Sequence, residues 1–152
     1  MMRLLVAGLV FGSVMSMAGA AAAQVPDYYV GVGVRAFFND DTSVILDSKA
    51  KIVDLGSRND YSASLRPAVY FGDETAFRVP VTFEAEATEN FYPFVGGGVA
   101  YNTDGDENLD PMITAGLDVR LSDQLILNLE GNFIFQPSDT DAELAASINF
   151  EF

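Results

Sequence analysis

The sequence predicts an all-β protein: an eight-stranded antiparallel up-and-down transmembrane β-barrel, preceded by a cleavable signal peptide. Three observations predict it. Apolar residues alternate with small or polar ones in segment after segment from residue 28 to the end, with no helix-period stretch between them. Aromatic residues cluster at the ends of the apolar rows, and the face opposite those rows carries small residues where a water-facing sheet would carry long polar ones. Period-two alternation is the signature of a strand, and aromatic girdles mark the two interfaces of a membrane barrel.

The first element is the export signal. Met1-Met2-Arg3 is a short positive start, the chain from Leu4 to Met17 is apolar, and Ala18 to Ala23 is rich in small residues and ends before Gln24. That order predicts a signal peptide over 1–23 and a barrel domain over 24–152. A membrane-anchoring helix over the same stretch is the alternative.

The strands follow in order. Tyr28, Val30, Val32, Val34, Ala36 and Phe38 form the first apolar row; at a strand rise and tilt typical of such barrels it spans roughly 23 Å, near their ~25 Å apolar band. The second strand lies somewhere within 44–55, where alternation is poor. Tyr61 to Phe71 is the third and Phe77 to Ala85 the fourth. Pro67 and Pro80 fall inside these two strands, and a missing N–H predicts a bulge or a distorted pair there. Setting Val69 opposite Val79 would need a five-residue loop between Phe71 and Phe77. Pro93 to Tyr101, Ile113 to Leu121, Leu125 to Phe135 and Leu144 to Phe152 complete the set of eight.

Hydrophobic residues make up 49% and charged residues 20%, a composition that excludes a disordered chain. Eight Lys and Arg against 22 Asp and Glu exclude phosphate-backbone binding, so no nucleic-acid partner is expected. The chain has no Cys and no His, which removes disulfides, thiolate and imidazole metal sites, and the common nucleophile–histidine machinery. No enzyme and no cofactor is expected.

In an eight-stranded barrel the interior is just wide enough for side chains to fill. The facing places Arg35, Lys49, Lys51, Arg66, Arg78 and Arg120 inside, against Asp47, Glu84, Glu86, Asp118, Glu130, Glu143 and Glu151. Unpaired charge there is costly, so the candidate site is an ion-pair network of Arg35, Arg66, Arg78, Arg120, Glu84, Glu86, Asp118, Glu130 and Glu143. An acid/base pair among Glu84, Glu86 and Glu130 is the sharper alternative. Such rows also resemble the selectivity charges of a pore.

Pro93-Phe94-Val95-Gly96-Gly97-Gly98-Val99-Ala100-Tyr101 resembles the Pro-aromatic-Val-Gly-x-Gly strand of small Gram-negative outer-membrane barrels of the opacity-protein and OmpA-like type. The closing row Leu144, Ala146, Ile148, Phe150 and Phe152 is similar to the terminal signal read by the barrel assembly machinery. The resemblance implies outer-membrane location, a periplasmic N-terminus and no single activity. Short surface loops depart from the group and speak against adhesion.

With that topology the outer loops carry ten acids (Asp40, Asp41, Asp73, Glu74, Asp104, Asp106, Glu107, Asp110, Asp139 and Asp141) and no Lys or Arg. This rim is a solvated, aggregation-resistant surface or a cation-attracting one that bridges to anionic lipopolysaccharide. Asp104, Asp106 and Asn108 have the opening of a calcium loop. Leu109 stands where the turn glycine belongs and Ala115 where the bidentate Glu belongs, so no metal site is assigned. The functional expectation is a non-enzymatic barrel with a filled, charged lumen that contributes to envelope structure. A small cation-preferring diffusion pore, a soluble exported barrel with its apolar rows turned inward onto a ligand, and a lipid-modifying barrel enzyme are the rivals.

Overall fold

The structure is a computed structural model that describes residues 25–37, 42–57, 60–103 and 109–152. The expected signal peptide, the calcium-like loop residues Asp104, Asp106 and Asn108, and the loop acids Asp40, Asp41 and Glu107 lie outside the described residues.

Nine strand segments run in chain order: β1 (Tyr28–Phe37), β2 (Thr42–Leu55), β3 (Tyr61–Leu65), β4 (Ala68–Phe71), β5 (Thr75–Ala85), β6 (Phe91–Asn102), β7 (Leu109–Arg120), β8 (Leu125–Phe135) and β9 (Thr140–Glu151). Every pairing is antiparallel, β3 and β4 each pair with β2 and β5 and not with one another, and β1 pairs with both β2 and β9, so the ladder closes on itself. Closure removes the free edge that an apolar environment could not solvate. Both β3 and β4 lie between β2 and β5, in one continuous register with β5. They are one stave interrupted at Arg66-Pro67, and the wall has eight staves.

The interruption has a local cause. Pro67 and Pro80 each lack the N–H a ladder needs, and they sit on adjacent strands. Arg66 N–H donates to Pro80 O at 3.0 Å, but no donor returns to Arg66 O. Pro67 O accepts both the Ser48 N–H, at 3.1 Å, and the Ser48 hydroxyl, at 2.9 Å. The distortion expected at the prolines is therefore present, whereas the expected register is not. Val69 pairs with Phe77, and Phe71 pairs with Thr75 across a three-residue turn of Gly72-Asp73-Glu74. The turn sets the register, and Val69, buried between its ladder partners Leu46 and Phe77, has no need of a valine opposite.

Poor alternation in β2 also has a structural reason. Its register with β3 shifts between Lys51 and Val53, which leaves Ile52 as the extra residue of a bulge. Before the bulge Val44 and Leu46 face outward; after it Val53 and Leu55 do.

Apolar rows face away from the barrel interior. Val32, Val34, Phe83, Val95, Ile113, Phe133, Leu144, Ile148 and Phe150 are all exposed. Tyr61, Phe71, Phe91 and Phe135 are exposed at the ends of those rows. The soluble barrel with inward apolar rows is thereby overturned. Inside, Gly96 and Gly98 let β6 approach β5 closely: a Cβ would lie 2.0 Å from Val81 O at the first and 2.2 Å from Val79 O at the second.

Candidate functional site

The lumen is lined by charge, in tiers set by strand register. The lower tier centres on Arg66, at the break between β3 and β4. Its Nη2 lies 2.5 Å from Glu84 Oε2 and 2.8 Å from Asp118 Oδ2, its Nε donates to Thr82 Oγ1 at 2.8 Å, and its Nη1 donates to the Tyr29 hydroxyl at 2.6 Å and to Asp118 Oδ1 at 3.5 Å. The guanidinium also stacks over Phe94, 3.7 Å from the ring centroid. Lys49 Nζ, from β2, sits 2.8 Å from Glu84 Oε1, and the hydroxyls of Ser62 and Ser64 donate to the same oxygen. Glu84 thus binds two cations that face each other across the ladder. Asn128 Nδ2 and Tyr29 Oη donate to Asp118 at 2.8 and 3.0 Å.

The upper tier centres on Glu143 of β9. Arg35 Nη1 and Arg78 Nε each reach it at 3.0 Å. Both guanidiniums lie over Tyr70, at 4.8 and 5.1 Å from its centroid. Arg35 Nη2 also donates to Ser43 Oγ at 2.7 Å and Arg78 Nη1 to Asn102 Oδ1 at 3.1 Å. Above this tier a polar recess of about 270 Å³ is lined by Thr42, Asp73, Glu74, Gln136 and Asp141, among others.

Tightly buried charges with this many partners are held by geometry, and removing one partner strands the rest. Water does not separate them: Lys49 and Asp118 have no exposed surface, and Arg66, Arg78, Glu84 and Glu143 are at most 4% exposed.

Comparison with solved structures bears on the wall. A designed transmembrane β-barrel superposes with a TM-score of 0.63 at 19% identity, covering 86% of this chain and 100% of that one. The N-terminal barrel domain of Pseudomonas aeruginosa OprF gives 0.61 at 12% identity, with the same coverage. Ail, the attachment invasion locus protein of Yersinia pestis, gives 0.60 at 10% identity, again over 86% and 100%. The fold is that of the small outer-membrane β-barrels. No family model and no curated protein matches the sequence.

Within that barrel the predicted site residues separate into groups. Arg35, Arg66, Arg78, Glu84, Asp118 and Glu143 come together as expected. Arg120 does not join them. It lies at the far end of the lumen, where its Nη1 meets Glu151 at 2.5 Å and its Nε meets Tyr92 Oη at 3.4 Å. Glu86 does not join either: it lies one residue past the end of β5 at Ala85, where its N–H extends the ladder to Asp60 O at 2.9 Å, beyond the central tiers. Glu130 points into the lumen but forms no ion pair among the described residues.

Three tyrosines, Tyr29, Tyr70 and Tyr92, are the largest fully buried side chains, and the sequence reading left them out of the site. Each stands at a lumen-facing step of its strand, so parity alone could have placed them. Asp110, expected in an outer loop, is a buried β7 residue paired with Ala100. Leu144, Ile148 and Phe150 of the closing row are exposed on the outer face, Ala146 is half-buried there, and Phe152 follows β9 with its N–H on Tyr28 O at 3.3 Å. Among the described residues no group of three acids could hold a metal.

Proposed function

We propose that the protein is a non-enzymatic, non-conducting barrel of the bacterial outer membrane, closed by a side-chain plug, with an acidic outer rim that contributes to the envelope surface. One observation carries the reading: Lys49 of β2, Arg78, Thr82 and Glu84 of β5, Thr114 and Asp118 of β7 and Glu143 of β9, which face the middle of the lumen, have almost no contact with water. A water column would wet them. Arginines reach across the narrow interior, and the bidentate geometry of guanidinium and carboxylate locks them there.

Outer-membrane location is supported by the outward apolar rows and the aromatic ends. Exposed Asp73, Glu74 and Asp139 form part of an acidic rim, which suits divalent-cation bridging to lipopolysaccharide phosphates. The outward row Leu144, Ala146, Ile148, Phe150 and Phe152 suits recognition by the barrel assembly machinery.

Planar-bilayer recording tests the plug. The native chain is expected to show no steady current, and Arg66→Ala combined with Arg78→Ala is expected to leak. A stable cation-selective native current would falsify the plug and establish the pore.

A further inference from the structure

The polar recess above the upper tier measures about 270 Å³, close to the ~300 Å³ at which small-molecule sites begin, so it admits a compact organic molecule and not merely a lone ion. Buried side chains build its floor. Arg78 is 2% exposed, Ser43 3% and Arg35 7%, and all three border the recess. Glu143 holds both guanidiniums from beneath at 3.0 Å, and Ser43 Oγ and Asn102 Oδ1 hold them from the side. Arg78 places its Nε–H and one Nη2 N–H on Glu143 and its two Nη1 N–H groups on Phe77 O and Asn102; the remaining Nη2 N–H has no acceptor among the described residues.

The mouth carries the opposite sign. Asp141 stands one lumen-facing step above Glu143 on β9, roughly 5 Å along the axis at the rise and tilt of such strands, and Gln136 Nε2 donates to its Oδ2 at 3.4 Å. Asp73 and Glu74 border the recess from the exposed turn between β4 and β5. A positive floor under a negative mouth sorts solutes by the order of their charges. An anion must pass three carboxylates before it reaches the guanidiniums, and a cation drawn in by the mouth meets two guanidiniums below. A zwitterion aligned with the axis avoids both conflicts and makes charge-assisted hydrogen bonds at both ends.

We propose that this recess is a binding site for a small neutral α-amino acid, with its carboxylate on the Arg78 and Arg35 floor and its ammonium toward Asp141 and the turn acids. The short step from Glu143 to Asp141 suits two opposite charges separated by a single carbon, and the volume leaves room for a short side chain. Binding takes place on top of the plug and does not depend on closure beneath it, so conductance tests the plug and ligand uptake tests the recess.

Equilibrium dialysis of the full folded chain in detergent micelles against radiolabelled L-alanine tests the site. The native chain is expected to bind one molecule per barrel, saturably at millimolar concentrations, with displacement by unlabelled glycine but not by acetate or methylammonium at the same concentration. Asp141→Asn removes a partner of the ammonium and weakens binding roughly tenfold, the loss of one charge-assisted hydrogen bond. Arg78→Gln weakens it at the carboxylate end. Should Arg78→Gln fail to fold, Asp141→Asn, which lies outside the ion pairs, carries the same readout. Absence of saturable uptake by the native chain, displacement by acetate or methylammonium as effective as by glycine, or undiminished binding in Asp141→Asn overturns the site.

Discussion

Two sectors of the barrel wall are built on different principles. From β6 to β9 the ladders run nine to eleven pairs without a break, and there the backbone itself holds the sheet. From β2 to β4 the ladder carries a bulge at Ile52 and a strand break at Arg66-Pro67, with Pro80 of the adjoining β5 withholding a donor opposite the break. Yet this weaker sector supplies Lys49, Arg66 and Asp47, including the most highly connected side chain in the lumen. Where the wall gives up backbone bonds, cross-lumen ion pairs tie it to β5 and β7. The lumen network is thus a brace for the irregular sector as well as a plug.

Substitutions can break or sharpen that contrast. Removing the brace should cost most: Arg66→Ala leaves Asp118 without a cation and Glu84 with Lys49 alone, and is expected to lose about 3 kcal/mol in urea unfolding from micelles, with membrane insertion retained. A loss below about 1 kcal/mol would show the irregular wall standing unaided. In the regular sector the sensitive feature is close backbone approach. Gly98→Val places a Cβ against Val79 O and should cost about 2 kcal/mol, seen as a lower denaturation midpoint and poorer refolding yield. Arg120→Ala breaks a half-buried pair with Glu151 outside the brace, so a change of about 1 kcal/mol or less is expected in the same assay. Smallest of all should be Pro67→Ala. It regains a ladder donor but frees the unfolded chain, two effects of opposite sign and similar size, leaving a net change within about 0.5 kcal/mol.

The regular sector is also the one the sequence describes well. Alternation fixes which residues face out in β1 and β5–β9, because one unbroken period of two runs the length of each strand. The lumen charges Arg35, Arg66, Arg78, Glu84, Asp118 and Glu143 follow from parity for the same reason. Parity fails where an extra residue enters the strand. Ile52 shifts the phase of β2, which blurs that strand's alternation and limits; Lys49, before the bulge, is on the side expected, but its tie to Glu84 is not part of the expected network. Parity is also blind to height along the barrel axis. Glu86 and Arg120 occupy the correct side but stand at or past strand ends, beyond reach of the central tiers. Turn length was the other hidden quantity: the three-residue turn at 72–74, shorter than pairing valine with valine required, sets the register of β4 against β5.

The β1–β9 ladder also constrains the order of events in folding. Tyr29 pairs with Glu151, and the Phe152 N–H reaches Tyr28 O, so the first strand finds its second neighbour only in β9, about 110 residues further on. Until β9 arrives, β1 and β8 each expose a full row of unpaired amides and carbonyls, which hydrocarbon cannot solvate. A chain lacking β9 therefore has no stable resting place in the bilayer, and insertion and closure must proceed together. Such long-range pairing also makes folding intrinsically slow, because the loop it closes is nearly the whole barrel.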